Sequence, residues 1–506
     1  MNLELSSVIS NMNEYLDRYL AFLRACGQIE WDMLTGAPKG GTVSRSKTLG
    51  ILAEETFKLQ VSDQMRDFLS AIEPSLDKLD INTRAVYRIC KKNYDDSVKV
   101  PAELIREYEE HTMLSNNIWE NAKNTNDFAL FEPSLQKTVE LVKKISNYRG
   151  YSGHPYDLLL EDYEPGMTIE KLDAFFAELK QTIVPLLKAI TEHGKKIDCS
   201  FLTRPVSIEK QKQISDLLMR IVGYDLNRGQ LKESEHPVTI DFGRDDVRIT
   251  THYFENAFLS SLFSVLHESG HGIYEQNKSD DIANTILDSG ISNGIHESQS
   301  RFYENVIGRS EGFWNLIYPE LMKILGDDFS DVTPKMLYEA SNIAQPSLIR
   351  VEADELTYSL HIMVRYELEK QLFGGEIEVH DLPKLWNQKY EEYLGITPLT
   401  DSEGVLQDVH WSGGMFGYFP SYALGNAYSA QLLAYMQREF DVEGEINLGN
   451  ISKITEWLKD KIHRFGSVYI PVNLIGNIAG EGLNAKYYTD YLKNKFEKLY
   501  QVTVDR

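Results

Sequence analysis

Between Phe254 and Tyr274 the chain reads FENAFLSSLFSVLHESGHGIY, a proline-free run with Phe258, Leu262, Phe263, Leu266 and Ile273 near helical spacing. A helix here sets His267 and His271 on one face, four residues apart in an H-E-x-x-H pattern, so that two imidazoles can reach one cation. Glu268 stands beside them, placed to take a proton from a water at that cation. Gly270 and Gly272 are poor helix formers, each costing about 1 kcal/mol against Ala. Their presence implies that backbone or substrate passes close, or that the helix ends near Gln276 and Asn277. The pattern belongs to zinc peptidases; the competing reading is a helix whose two histidines merely pack.

A catalytic zinc usually keeps three protein ligands and one open position. The candidate third ligand lies 26 residues after His271, in the segment from Ser292 to Arg301. Asp288-Ser289-Gly290 reads as a turn and RFYENVIG as a second helix. Two such neighbours can bring Glu297 to the histidines. His296 competes for the place, but adjacent helical residues point about 100° apart, so only one faces the cation, and Glu297 is preferred.

Five ordered blocks extend the pattern: Asp246-Val247-Arg248-Ile249-Thr250, His267 to His271, His296-Glu297-Ser298-Gln299, Ile349-Arg350-Val351-Glu352-Ala353-Asp354, and Gly404 to Trp411 with Gln407-Asp408-Val409-His410 inside it. On these blocks the chain resembles the M32 family of zinc metallocarboxypeptidases, the carboxypeptidase Taq group. Glu30-Trp31-Asp32 with Pro38 and Arg45, and Gly480-Glu481-Gly482-Leu483, extend the similarity to both ends. The resemblance implies a mainly α, zincin-like helical fold with a deep cleft, one zinc per chain (cobalt or manganese able to substitute), and a homodimer.

The roles follow. Zinc held by His267, His271 and Glu297 would acidify its water, and Glu268 would act as general base and then acid. Tyr418, by its resemblance to the Gly-Tyr element of related helical zinc peptidases, is the first choice of donor to the oxyanion, with His410 second and Tyr422 third. Trp411, Phe416 and Phe419 read as packing. An enzyme that works from a C-terminus must grip a carboxylate, for which the planar guanidinium is suited. The resemblance assigns this to Arg350, with Arg248 as runner-up; the competing reading is an Arg–Asp pair with Asp246, Asp354 or Asp408. Gln407 and Asp408 either line the site or orient a ligand.

The stretch 236–242 to 247–250 alternates and is β-branched, which predicts a hairpin turning at Gly243-Arg244-Asp245, an edge strand beside the metal helix where a peptide can pair. Elsewhere helical patterns cover 8–27, 43–75, 82–98, 102–123, 134–148, 168–194 and 207–222, then 253–276, 293–309, 334–341, 351–373 and 487–500. Breaks fall at Gly36–Gly41, Gly150–Pro155, Glu164–Gly166 and Gly374-Gly375. All proposed chemistry lies beyond residue 245. We therefore expect one peptidase domain over 1–506, with 1–235 as a helical wall limiting access and 236–506 carrying catalysis.

A net charge of −24 without long single-sign blocks argues against nucleic acid and anionic membranes as partners. Cys26, Cys90 and Cys199 are odd in number and far apart, and read as buried thiols of a reducing compartment. The N-terminus lacks an export-signal layout, and no apolar run reaches the roughly 20 residues of a membrane span. The expectation is a cytoplasmic carboxypeptidase of broad specificity acting on peptides with a free C-terminus. The alternatives are a helical-cleft oligopeptidase or dipeptidyl peptidase, and a non-catalytic scaffold stabilised by metal.

Overall fold

The H-E-x-x-H run forms a helix, Phe258–Gln276, buried along most of its length. A computed structural model describes residues 3–151 and 153–504 around it. The expected domain limits 1 and 506, and residue 152 of the 150–155 break, lie outside the described residues. Among the described residues nine α-helices precede the sheet: Leu3–Thr35, Thr42–Gln60, Asp63–Ile72, Ile81–Val98, Ala102–Thr125, Phe128–Arg149, Pro155–Tyr163, Ile169–His193 and Ile208–Val222. After the metal helix come Asn293–Arg301, Glu311–Leu325, Pro334–Ser341, Tyr358–Gly374, Leu382–Leu394, Pro420–Met436, Val442–Asn447, Ile451–Lys461, Pro471–Ala479 and Ala485–Tyr500.

The sheet has three strands, β1 (Gly229–Glu233), β2 (Thr239–Asp241) and β3 (Val247–Thr251), in the order β1-β3-β2. β2 and β3 form the expected hairpin, antiparallel with Ile240 opposite Arg248, and Gly243 turns it at φ +109°. The parallel β1, with Leu231 opposite Ile249, adds a strand to the expected hairpin, in a segment for which the sequence predicts neither helix nor strand. Its sequence, GQLKE, carries no β-branched residue, and its place is held by backbone pairing.

Other boundaries shift for local reasons. The 43–75 pattern breaks at Ser62, whose hydroxyl caps a new helix by accepting the Met65 N–H at 3.0 Å. The 351–373 pattern begins as a 3₁₀ turn, Arg350–Glu352, and becomes α-helical only at Tyr358. The 293–309 pattern is α-helical to Arg301 and π-helical over Phe302–Ile307, a departure that recurs at functional sites. Pro420–Met436 escaped the periodicity reading because it is buried on every side, leaving no polar face to set a period.

The main core crosses residue 235 freely, joining Leu172, Phe176 and Leu218 to Ile249 and Leu266. A smaller core of Met12, Leu16, Met65, Leu69, Ile72 and Cys90 belongs to the first helices. Leu3–Thr35 lies on β2, where Gly27 faces Phe242 and Ile240. Ala102–Thr125 braces the loop after 404: Tyr108 donates to the Gly413 carbonyl at 3.1 Å, and Lys123 to that of Gln407 at 2.9 Å. Cys90 is buried, but Cys26 and Cys199 are only half-buried, correcting the expectation for those two; no disulfide joins the three.

Candidate metal and active site

Two glycines bring the metal helix to its neighbours. A Cβ on Gly270 would stand 2.7 Å from both the Gln299 carbonyl oxygen and the Ser300 Cα, so the Asn293–Arg301 helix crosses in direct backbone contact. Gly272 makes room for the ring of Tyr224. On the far side Gly425, in Pro420–Met436, admits the Glu297 side chain. Glu297 is thus wedged between two helices that approach through glycine.

The result is a cluster of His267, His271 and Glu297, with ligand atoms all within 4.8 Å of one another. Glu297 Oε2 lies 3.7 Å from His267 Nε2 and 3.5 Å from His271 Nε2. Tetrahedral zinc with bonds of about 2.0–2.2 Å holds its ligand atoms roughly 3.3–3.5 Å apart, so the spacing fits a cation with little adjustment. The histidine side chains keep 17% and 15% of their exposure, so the site is open to solvent.

Each ligand is held from behind. His267 Nδ1 donates to Glu304 Oε2 at 2.9 Å, from the π-helical turn. Arg301 Nε donates to Glu297 Oε1 at 2.7 Å, while Oε2, which also accepts from the Ser300 hydroxyl at 3.2 Å, faces the two histidines. Burial pushes the Glu297 carboxyl up, but Arg301 and the two histidines outweigh it and hold it far below its usual range. With His271 Nε2 turned to the cation, its Nδ1–H donates to His296 Nδ1 at 2.5 Å, and His296 Nε2–H donates to Glu275 Oε1 at 2.8 Å. Glu275 in turn pairs with the buried Lys278, which lies 3.7 Å from Asp288. His296 therefore stands behind His271 and outside the ligand cluster. Across this network four carboxylates (Glu275, Asp288, Glu297, Glu304) face three basic groups (Lys278, Arg301, Arg309), a negative balance that suits a cation.

Glu268 is 6% exposed, and its Oε2 accepts from the Thr239 hydroxyl at 2.6 Å, fixing the carboxylate from the β2 edge. Tyr418, Tyr422 and His410 form one aromatic cluster: the tyrosine rings are 5.2 Å apart, and His410 is 5.4 Å from Tyr418. Burial raises the Tyr418 and Tyr422 hydroxyls above their usual range, so both stay protonated donors. Burial pushes His410 down to about 4, and its Nδ1 is buried without a partner. The loop is pinned by Glu369, which accepts from Trp411 Nε1 at 2.6 Å, Tyr156 OH at 2.6 Å and Gly417 N–H at 2.8 Å.

Both candidate arginines are engaged. Arg248 makes a two-point pair with Asp246 at 2.7 and 2.6 Å and lies over Phe242. Arg350 donates through Nε and Nη2 to Asp408 Oδ1 at 2.9 and 2.8 Å, and through Nη1 to Tyr358 OH at 3.0 Å. Asp408 Oδ2 takes Arg365 Nε at 2.7 Å, so two buried guanidiniums share one carboxylate. The Gln407 side chain is turned to the protein: it accepts from the Arg350 N–H at 2.9 Å and donates its amide hydrogens to the Leu348 and Glu403 carbonyls.

Sequence reasoning did not single out Arg301, Glu304, Thr239, Tyr358 or Arg365. For the first two a signal existed. Glu297, Arg301 and Glu304 recur at helical spacing, an ionic stripe on a segment with little exposed surface.

A helix carrying H-E-x-x-H, a glutamate supplied by the next helix, and an open, back-supported ligand cluster together define a helical metallopeptidase. The chain belongs to the carboxypeptidase Taq (M32) metallopeptidase family, whose pattern matches residues 11–496. Carboxypeptidase 1 of Bacillus subtilis (strain 168) is 44% identical over 488 residues, 96% of this chain and 97% of that protein. Thermostable carboxypeptidase 1 of Thermus thermophilus is 37% identical over 503 residues, 97% of this chain and 98% of that protein. The crystal structure of the M32 carboxypeptidase from Deinococcus radiodurans R1 superposes with a TM-score of 0.94 at 32% identity, covering 98% of this chain and all of that one. The protein is an enzyme, a metallocarboxypeptidase. Among the described residues, no helix is long and apolar enough to cross a membrane.

Proposed function

We propose that the protein is a zinc-dependent carboxypeptidase of broad specificity that removes single residues from peptides with a free C-terminus. The observation that carries this reading is the buried cluster of Arg350, Arg365 and Asp408, two positive groups against one negative. Burying an unbalanced charge is costly, and a carboxylate completes the set. Tyr358 joins this cluster to the metal ligands, with its hydroxyl on Arg350 and Arg301 over its ring at 4.5 Å.

His267, His271 and Glu297 would hold the zinc, which when bound supplies Lewis acidity toward the scissile carbonyl and makes a water nucleophilic near neutral pH. Cobalt or manganese would substitute, since two imidazoles and a carboxylate suit several divalent ions. Glu268 takes the water's proton at the oxygen that Thr239 leaves free and returns it to the leaving amine. Tyr418, His410 and Tyr422 donate toward the developing oxyanion. Arg350 grips the terminal carboxylate with its remaining N–H groups, while Gln407 positions the Arg350 backbone and Arg248, locked to Asp246, shapes the wall nearby. The helices of 1–235, resting on β2 and on the 404–414 loop, act as the wall that admits chain ends. The resemblance adds a homodimer and a cytoplasmic location, which sedimentation and cell fractionation test.

The experiment is mass-spectrometric digestion of a peptide and its C-terminal amide, with and without chelator. A ladder of single losses from the free acid alone, abolished by chelator and restored by Zn²⁺, is expected. Internal cuts in both peptides would overturn the reading in favour of an oligopeptidase.

A further inference from the structure

Behind the metal site lies a second chamber that the proposed reaction does not use. It is a cavity of about 580 Å³, between the π-helical turn Phe302–Ile307, the last turns of Pro420–Met436 and the Ala485–Tyr500 helix. Small-molecule sites span about 300–1,000 Å³.

Its lining is sorted by chemistry. Val306, Leu433 and Ile446 supply an apolar wall. Donors gather among the more buried groups. Lys495 spends two N–H groups on Glu355 and Tyr491 at 2.6 and 3.2 Å and keeps a third. The Tyr338 hydroxyl has no partner among the described residues, and Arg309 keeps second hydrogens on both terminal nitrogens. Acceptors sit at the exposed rim. Glu311 is unpaired among the described residues, and Glu443 uses one oxygen on the Gly312 N–H at 2.7 Å. Donors and acceptors lie close enough to act on one another, Glu443 on Lys495 and both Glu311 and Glu443 on Tyr338, so a ligand whose carboxylate and ammonium share one carbon, with an apolar side chain beside them, meets all three zones.

We infer that this cavity binds a free α-amino acid, the chemical class of the product, and that its occupancy slows the enzyme. The inference rests on the proposed release of single C-terminal residues. The coupling route is short: Arg309 lines the cavity and donates to Glu304 Oε1 at 3.1 Å, while Glu304 Oε2 holds His267 at 2.9 Å. A carboxylate that draws Arg309 toward itself loosens the carboxylate that orients the metal ligand.

The test is calorimetric titration of the zinc enzyme with L-leucine, beside N-acetylleucine and leucinamide, and steady-state inhibition by each. Two leucine sites per chain are expected, with kcat lowered about fivefold at saturation in addition to any competitive effect on KM. Glu311→Lys, at the exposed rim, and Ala434→Trp, which fills the chamber, should each lose the second site and the kcat effect while keeping the parent kcat and KM. Should Ala434→Trp fail to fold, Glu311→Lys decides alone. A single leucine site with purely competitive inhibition, or second-site binding of the acetylated and amidated analogues equal to that of leucine, would overturn the inference. Second-site binding in an enzyme that releases no C-terminal residue would refute the proposed reaction and leave the amino-acid site standing.

Discussion

Replacing Gly270 by Ala tests the claim that the Glu297 helix is held in place by contact through a missing side chain. The new Cβ would meet the Gln299 carbonyl oxygen and the Ser300 Cα at 2.7 Å, about 0.7 Å short of ordinary contact. Both atoms are backbone and cannot rotate aside, so the two helices must part by roughly that distance. Overpacking of this kind costs about 1–3 kcal/mol, while Ala over Gly inside a helix returns about 1 kcal/mol. The metal-free protein should therefore lose only ~0–2 kcal/mol. The larger loss falls on the metal site. Glu297 rides on the displaced helix, and its 3.5 and 3.7 Å distances to the two histidines open together. Metal affinity should drop about 10–100-fold, as for a lost supporting contact. Chelator competition for Zn²⁺ measures this, with thermal unfolding in EDTA reporting the metal-free stability. Gly50→Ala is the control, because Gly50 lies in a helix with nothing within 4 Å and should gain about 1 kcal/mol. Zinc affinity in Gly270→Ala within twofold of the parent would refute the reasoning.

Glu268→Gln should lower kcat at least about 10²–10⁴-fold, the range for a lost general base, with zinc content unchanged by elemental analysis. Thr239→Val, which removes the 2.6 Å bond to Glu268 but leaves the base, should lower kcat far less, again with zinc content unchanged. Arg350→Lys should raise KM for free-acid peptides more than it lowers kcat, because a point charge cannot reproduce the planar fork; equal losses in both constants would count against a carboxylate grip. Burial holds the Glu164 carboxyl up at about 7, although it accepts from Tyr428 and Gly294 at 2.8 and 3.0 Å. A folded pKa raised above the ordinary ~4.3 gives stability present below that value and lost as pH rises through 7. Melting temperature should fall from pH 5 to 8, and Glu164→Gln should flatten that fall; an unchanged slope would show that Glu164 does not cause it.

The metal cluster was legible because its parts are fixed by local geometry. His267 and His271 share a face by helical spacing alone, and Glu297 could be chosen over His296 because neighbours on a helix diverge. The supports were not legible in the same way. Thr239 reaches Glu268 from a three-residue strand, and nothing in TID announces a partner 29 residues away. β1 was missed because a parallel partner is chosen by the fold, not by its own residues. The helix Pro420–Met436 lost its periodic signal to near-complete burial, although it carries Tyr422 and the glycine that admits Glu297, while Tyr358–Gly374 lay within the 351–373 pattern but nothing in it marked Arg365 or Glu369 as partners of the site. A helix must show two faces before its sequence can show a period.

The same burial explains how the two ends of the proposed reaction keep their spacing. An exopeptidase cuts at a fixed distance from its anchor, so the grip on the carboxylate and the metal ligands must not drift apart. Tyr358 stands between them at the buried start of its helix, bonded to Arg350 at 3.0 Å and stacked beneath Arg301, which holds Glu297. Asp408 fixes the other side of Arg350 and is itself fixed by Arg365 from that same helix. Anchor and metal ligand are therefore referenced to one rigid element, and a mobile loop need not set the distance between them. Of the donors to the oxyanion, Tyr418 and His410 come from the segment before Pro420–Met436, and Glu369 of the same helix as Arg365 binds that segment at Trp411 and Gly417. Selection for one cutting distance thus falls most heavily on the helix that carries Tyr358, Arg365 and Glu369.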